Sequence, residues 1–327
     1  MSKLIDYQSE EGKILKPFFQ EKMIDPFISN IVESFIYKEV INRNKKGLIV
    51  ERFMTKFGEC HGLYQSWWPN GQLEDEGLHV EGKREGVHFK WHRNGKLFQE
   101  MNYKDDVLDG PFTEYYENGI KSDEGTYLKG KRHLEWKSWH EDGQKWIEAT
   151  YDNGKYVGIF KRYHGAEILE EEVFYINGEM DGVYRAWHPS GSLHQECLYT
   201  NGKLDGISRE WFEDGKLSED KFYTDGQAHG MFKGYYNNSS KLYERTYEHG
   251  KKIGVMNAWY SNGQARDEIP FEDGEIHGIR KNWHRNGQLA YEKTYVNGKI
   301  LGLQREWNQQ GDLLREVNIT ERNRRQQ

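Results

Sequence analysis

Polar and apolar residues alternate along most of this chain in short runs, and glycine punctuates the runs at a fixed interval. Gly62, Gly86, Gly110, Gly158, Gly182, Gly206, Gly230, Gly254, Gly278 and Gly302 are spaced by 24 residues or a multiple of it, with Leu134 in the one gap. Five residues after each of these positions stands a ring: Trp67, Trp91, Tyr115, Trp139, Tyr163, Trp187, Trp211, Tyr235, Trp259, Trp283 and Trp307. A second glycine follows nine residues after the first, as in Asn70-Gly71, Asn94-Gly95 and Asn286-Gly287, replaced only by Glu167 and Ser239. Five residues further on is an acid, from Glu76 and Glu100 to Glu316, and three beyond that mostly a tyrosine, from Tyr103 to Tyr295. A second turn closes the unit, as in Asn153-Gly154-Lys155 and Asn297-Gly298-Lys299.

Alternation flanking Asn-Gly is a hairpin signal, because both central residues of a type I′ turn need positive φ. Two strands of about seven residues plus two turns fill about 24 residues, so each unit is predicted to be one antiparallel hairpin. A two-residue turn places residue 65 opposite residue 76, and the same offset opposes Lys137 to Glu148, Lys161 to Glu172, Arg185 to Glu196, Arg209 to Asp220, Lys233 to Glu244, Lys281 to Glu292 and Arg305 to Glu316. That register sets Leu73, Leu97, Leu193, Leu217 and Leu289 beside residue 68 of their units, near the tyrosine column, with the tryptophan column on the other face. The expected fold is an all-β repeat protein: an elongated single-layer antiparallel sheet of about eleven hairpins over residues 58–320. At about 9.6 Å per hairpin, eleven units would extend roughly 100 Å.

Residues 1–57 do not share the repeat. Asp25-Pro26 followed by Phe27, Ile28, Ile31, Val32, Phe35 and Ile36 predicts an N-capped amphipathic helix to about Ile41, a helical cap over the first sheet edge or a docking segment. Residues 321–327 form a basic tail with Arg322, Arg324 and Arg325.

The strings Tyr199–Asp220 (YTNGKLDGISREWFEDGKLSED) and Tyr295–Glu316 (YVNGKILGLQREWNQQGDLLRE) resemble the MORN (membrane occupation and recognition nexus) repeat, more closely its variant found in antitoxin-type bacterial proteins and in large DNA viruses. The resemblance implies a ribbon of hairpins used as a binding platform: a scaffold for protein–protein interaction or structural assembly, virion-associated in the viral case. Lipid-surface association and antitoxin-like binding of a partner protein are the alternatives it leaves open.

Composition narrows the chemistry. The chain of 327 residues carries 46 basic and 53 acidic side chains, a net charge of -7, which weighs against nucleic acid and makes an anionic membrane surface an unfavourable partner. No apolar run reaches the roughly 18 residues of a membrane span, and the N-terminal MSKLIDYQSEEGK lacks a signal-peptide core, so a cytoplasmic protein is expected, or a virion component if viral. Cys60 and Cys197 stand alone, without a C-x-x-C pair. The segments Gly77–Lys83 and Gly125–Lys131 imitate a phosphate loop but continue into Arg84 and Arg132 instead of Ser or Thr. His92, His140, His164, His188 and His284 share one column, whose members should lie about 10 Å apart, too far for a common metal. They read as substitutes for Trp68, Phe212 and Tyr260 at a half-buried ring position. No catalytic, cofactor or metal residues are assigned. The candidate partner-binding stripe is the ring column Trp67 to Trp307 named above, and the expected partner is another protein or a copy of this chain paired through an open sheet edge.

Overall fold

The computed structural model describes residues 36–320, and the chain divides into two compact units, Met1–Leu108 and Asp109–Gln327. The described part of the first unit is a meander of strands Tyr37–Arg43, Ile49–Lys56, Glu59–Trp67, Leu73–Val80, Lys83–Trp91 and Leu97–Lys104. Each of their pairings is antiparallel and joins chain neighbours. The second unit repeats the arrangement in a single open layer, as far as Leu313–Ile319.

The two turns of each unit differ. At the first, Gly71 N–H donates to the Trp68 carbonyl at 2.8 Å and Trp68 N–H to the Gln72 carbonyl at 2.8 Å. Only Gly71 of this loop has positive φ, at 87°, so Pro69 and Asn70 form an ordinary turn closed by a glycine bulge. The type I′ geometry expected at Asn70-Gly71 belongs instead to the second turn, where Asn153 and Gly154 take φ of 52° and 83°, and Asn297 and Gly298 take 47° and 72°. The register nevertheless matches expectation, because a shift between Ser66 and Trp67 compensates and leaves Gln65 opposite Glu76. All seven predicted acid–base pairs are directly opposed. The same shift corrects one placement: Leu73 faces Trp67, not residue 68, and Leu97, Leu193, Leu217 and Leu289 likewise face the tryptophan column.

The phased first glycine marks a second irregularity. Pairing runs from Val173↔Tyr184 to Tyr175↔Met180, so the residues around Gly182 bulge out, with Gly182 at φ 115°. Leu134 occupies the equivalent position at φ 62°, a left-handed conformation that costs a leucine about 1–2 kcal/mol.

Alternation puts two rows on the face opposite the acid–base pairs. One contains the residues two after each phased glycine and their partners: Phe112↔Gly125, Trp136↔Ala149, Phe160↔Val173, Tyr184↔Cys197 and Phe232↔Arg245 in the second unit. The other is the tyrosine column. This face is the core, with Trp136 and Val173 each 1% exposed and Tyr151 at 7%. Trp136 is seated on Gly125, where an added Cβ would lie 2.0 Å from the ring; His88 on Gly77 in the first unit is the same arrangement, also at 2.0 Å. Arg132 stacks over Trp136 with its guanidinium carbon 4.1 Å from the ring centre, and in the first unit Arg84 covers Tyr103 at 4.1 Å. Cation–π lids thus do part of the work of a second layer.

The helix predicted from Asp25 to about Ile41 lies mostly outside the described residues, but its last part is corrected. Tyr37–Arg43 is a strand, paired from Tyr37↔Lys56 onward with Ile49–Lys56, as suits its β-branched Val40 and Ile41. The turn between them, with Gly47 N–H on the Asn44 carbonyl at 2.9 Å, is the first-turn geometry exactly one period before Trp68–Gly71. The hairpins therefore begin before residue 58.

Replacing Leu134, 55% exposed, by glycine removes the strain at little cost in burial. Leu134→Gly should raise stability by about 1 kcal/mol in urea unfolding; a variant less stable than the parent would show that the leucine side chain outweighs its backbone strain.

Candidate functional site

The face opposite the core carries three adjacent rows, each crossing the strands. The first is ionic. Within hairpins Lys161 opposes Glu172, Arg185 opposes Glu196 and Arg209 opposes Asp220; between hairpins Glu172 opposes Arg185, Glu196 opposes Arg209 and Asp220 opposes Lys233. From Lys137 to Glu244 the predicted pairs thus fuse into one ladder of alternating sign, which Asn257 interrupts between Glu244 and Glu268. Arg185 Nε lies 2.8 Å from Glu196 while its Nη1 is 3.9 Å from Glu172, and Arg305 bridges Glu316 at 2.8 Å and Glu292 at 4.0 Å. Lys161–Glu172 and Arg209–Asp220 contact at 3.5 and 3.1 Å. The other three opposed pairs make their contacts elsewhere: Glu148 takes Lys145, Glu244 takes Lys241 and Lys281 takes Glu268. Half-exposed pairs of this kind contribute little apiece, and their main effect is to fix register.

The second row is the ring stripe. All eleven members, from Trp67 and Trp91 in the first unit through Tyr115 to Trp307 in the second, are half-buried. They stand at the strand end beside the first turn. Tyr163 donates its hydroxyl to Glu148 at 2.7 Å, and Lys145 and Lys241 sit over Tyr163 and Trp259, so the stripe shares its face with the ladder.

The third row was not anticipated. The residue after most phased glycines is exposed and apolar, and in three hairpins of the second unit its partner is too: Ile159↔Phe174, Val183↔Leu198 and Ile207↔Phe222. The signal was present in the sequence as the recurring pairs Gly158-Ile159, Gly182-Val183, Gly206-Ile207, Gly230-Met231, Gly254-Val255 and Gly278-Ile279.

The rims are tied from unit to unit. Asn70 Nδ2 donates to the Arg93 carbonyl at 2.7 Å, and Asn118, Asn238, Asn262 and Asn286 bond the same way one unit on. Next to them, six members of the column read as interchangeable rings donate to a carbonyl of the next unit, whereas Phe212 has no donor and His164 Nε2 is buried without a partner. Trp68 Nε1 reaches the Trp91 carbonyl, and the hydroxyls of Tyr116, Tyr236 and Tyr260 reach the equivalent carbonyls at 2.8–3.0 Å. His188 and His284 place Nε2 at 2.9 and 3.0 Å from theirs. These histidines serve as bridges between units. Both phosphate-loop look-alikes run across a hairpin: Gly77 lies in strand Leu73–Val80, and Lys83, which opens the next strand, pairs with Asp105 at 3.0 Å.

Seven units match the MORN repeat variant. The matched segments are residues 61–80, 84–105, 108–129, 132–153, 180–201, 204–225 and 276–297, each a pair of strands around the first turn. The units in phase but outside the match include those with Glu167 and Ser239 at the bulge glycine, yet both residues hold the glycine's left-handed conformation, at φ 58° and 63°. No curated protein matches the chain. Among solved structures, the crystal structure titled TcdB2-TccC3-TEV is 12% identical over 86% of this chain and 18% of that one, with a TM-score of 0.18. The structures titled TcdB2-TccC3 and TcdB2-TccC3-Cdc42 are 10% and 11% identical, each over 86% of this chain and 19% of theirs, with TM-scores of 0.18 and 0.16. The chain spans about a fifth of the length of those structures, and likeness at that level implies nothing further about it.

Burial in these rows also sets the tyrosine chemistry. Burial, then the charge of Glu171, pushes the Tyr184 hydroxyl up to about 12; burial, then a hydrogen bond to Glu219, does the same for Tyr243. Burial raises Tyr175, Tyr199 and Tyr223 as well. A folded-state pKa above the unfolded value of about 10 gives stability that is complete below pH 10 and lost as pH rises towards 12. Alkaline titration should therefore show cooperative unfolding accompanied by a late, steep rise in tyrosinate absorbance; gradual ionisation near pH 10 with the fold intact would contradict this. Phe212 occupies the donor column without a donor. Phe212→Tyr should add about 0.5–1.5 kcal/mol to stability, measured by chemical denaturation, and no gain would argue against the bridging role.

Proposed function

We propose that this chain is a non-catalytic repeat scaffold that binds a protein partner along the face carrying the ladder and the ring stripe. The observation that carries the reading is the regular juxtaposition there of half-buried rings, paired charges and exposed apolar side chains. That mixture suits a protein surface, whose interface cores favour aromatic anchors surrounded by satisfied polar groups. The depressions on this sheet are shallow: one of about 370 Å³ is lined by Pro111, Thr113, Glu124 and Lys137 among others, members of the same repeating rows. A sign-alternating ladder offers no continuous basic track to a phosphate backbone and no uniform positive field to an anionic bilayer. A cytoplasmic assembly, a virion component or an antitoxin-like binder would each use this face and differ in the partner it meets.

The full-length chain should retain a defined protein that also binds it when both are purified. Trp187→Ala combined with Trp211→Ala should weaken that complex by about 30-fold or more, as loss of a binding hot spot does, while the melting transition remains cooperative. Undiminished binding in the folded double variant would dismiss the stripe as the docking row, and recovery of no partner would count against the scaffold reading.

A further inference from the structure

The apolar row of the second unit is continuous across seven consecutive strands. Ile159, Phe174, Val183, Leu198, Ile207, Phe222 and Met231 are each between 39% and 52% exposed. Gly182 and Gly206 close the gaps between neighbours: a Cβ built on them would lie 3.6 Å from Phe174 and 3.0 Å from Leu198. At one end the row stops at Glu135↔Thr150, and at the other it thins where Met231 faces Thr246. Six strand spacings give it a length of about 29 Å. Its exposed side-chain area is on the order of 600 Å², at the upper end of what a monomer's surface patch presents.

We propose that this row is a self-association surface, covered face to face by the same row of a second copy of this chain. The proposal rests on the reading of this face as the docking face, and it commits to one occupant for two reasons. The first is area. The row together with the flanking ends of the ladder side chains approaches the roughly 800 Å² per partner of a standard stable interface. The second is charge. On the same seven strands the ladder reads Lys161, Glu172, Arg185, Glu196, Arg209, Asp220, Lys233. A row of strictly alternating sign is its own complement: two copies offset by one strand place every cation over an anion. Sheets packed face to face at about 10 Å bring such rows within reach while their apolar side chains interdigitate. A partner of one dominant charge would be repelled at every second rung.

Sedimentation of the full-length chain between about 1 and 100 µM, the range in which weaker interfaces of this size associate, tests the proposal. A monomer–dimer equilibrium is expected. Ile207→Glu with Phe222→Glu, both at exposed positions, should weaken it at least tenfold without changing the melting transition. Arg185→Glu, which breaks the alternation, should weaken it about fivefold, and raising salt should erase the difference between that variant and the parent. A wild-type chain that stays monomeric throughout overturns the proposal, as does a dimer indifferent to the Ile207 and Phe222 substitutions, which would instead point to pairing at a sheet edge. Because the partner complex is read on Trp187 and Trp211, a monomeric chain that still binds its partner refutes self-association alone. A dimer that binds no protein refutes the scaffold reading alone.

Discussion

Successive hairpins dock in the same register, and most of the structure follows from that one constraint. Within a hairpin Arg185 opposes Glu196; between hairpins Glu196 opposes Arg209, which stands one period after Arg185. Each column of the sequence therefore becomes a straight row across the strands, and a row is what can form a core, a ladder or a stripe. A slip of one residue at any turn would send every side chain beyond it to the opposite face. This explains why a period of 24 persists without insertion where individual residues vary freely. The rims enforce it: Asn70, Asn118 and Asn286 reach the next unit on one side, and on the other the Gly154 and Gly202 amides donate to the carbonyls of Arg132 and Met180, at the start of the strand after the preceding second turn.

A single layer has no second sheet against which to bury its rings, and the core face solves this sideways. Ring and small residue oppose one another, as Trp136 and Ala149 do, so that each ring lies over its neighbour's backbone instead of standing into solvent. Phe112 stacks with Trp136 at 5.6 Å, and Tyr127 and Tyr151 meet the same indole edge-on. At two polar positions of this face the charge is paired. Lys221, opposite Ser208, contacts both Glu210 and Glu219, and Arg280 contacts Asp267 at 3.3 Å. Burial alone works against the charged form of Lys221; hydrogen bonds to the two carboxylates outweigh it and hold the ammonium well above its ordinary range.

The features legible in the sequence were those in which one residue type recurs. The hairpin period, the register and the opposed acid–base pairs could be read because Trp, Glu and Asn-Gly repeat at fixed offsets. The core row escaped because its column runs Tyr64, His88, Phe112, Trp136, Phe160, Tyr184, Ser208, Phe232, Met256, and is constant only in how each member fits the residue opposite. Turn chemistry was assigned to the wrong turn for a related reason. Asn70 looks like a positive-φ residue, but its side chain is needed as a donor to the next unit, and the bulge at Ser66 and Trp67 restores the register that a tighter turn would have given. The hairpin over residues 37–56 was hidden because Arg43 and Arg52 stand where the ring and the acid would be, although Gly47 and Gly58 remain in phase.

The phased glycine links the two faces. Its positive φ lets the strand bulge, and the bulge turns the following residue outward onto the ladder face while the next one returns to the core. Gly182, Val183 and Tyr184 show this in three consecutive positions: a left-handed glycine, an exposed valine and a half-buried tyrosine hydrogen-bonded to Glu171 at 3.3 Å. The exposed apolar row is thus a geometric by-product of the same bulge that seats the core ring. A by-product alone would tolerate any polar residue, as Glu135 and Thr150 demonstrate at their own unit. That the row is instead Ile, Val, Leu, Phe and Met across seven successive strands, beside a ladder of alternating sign, is the observation on which the proposed self-association rests.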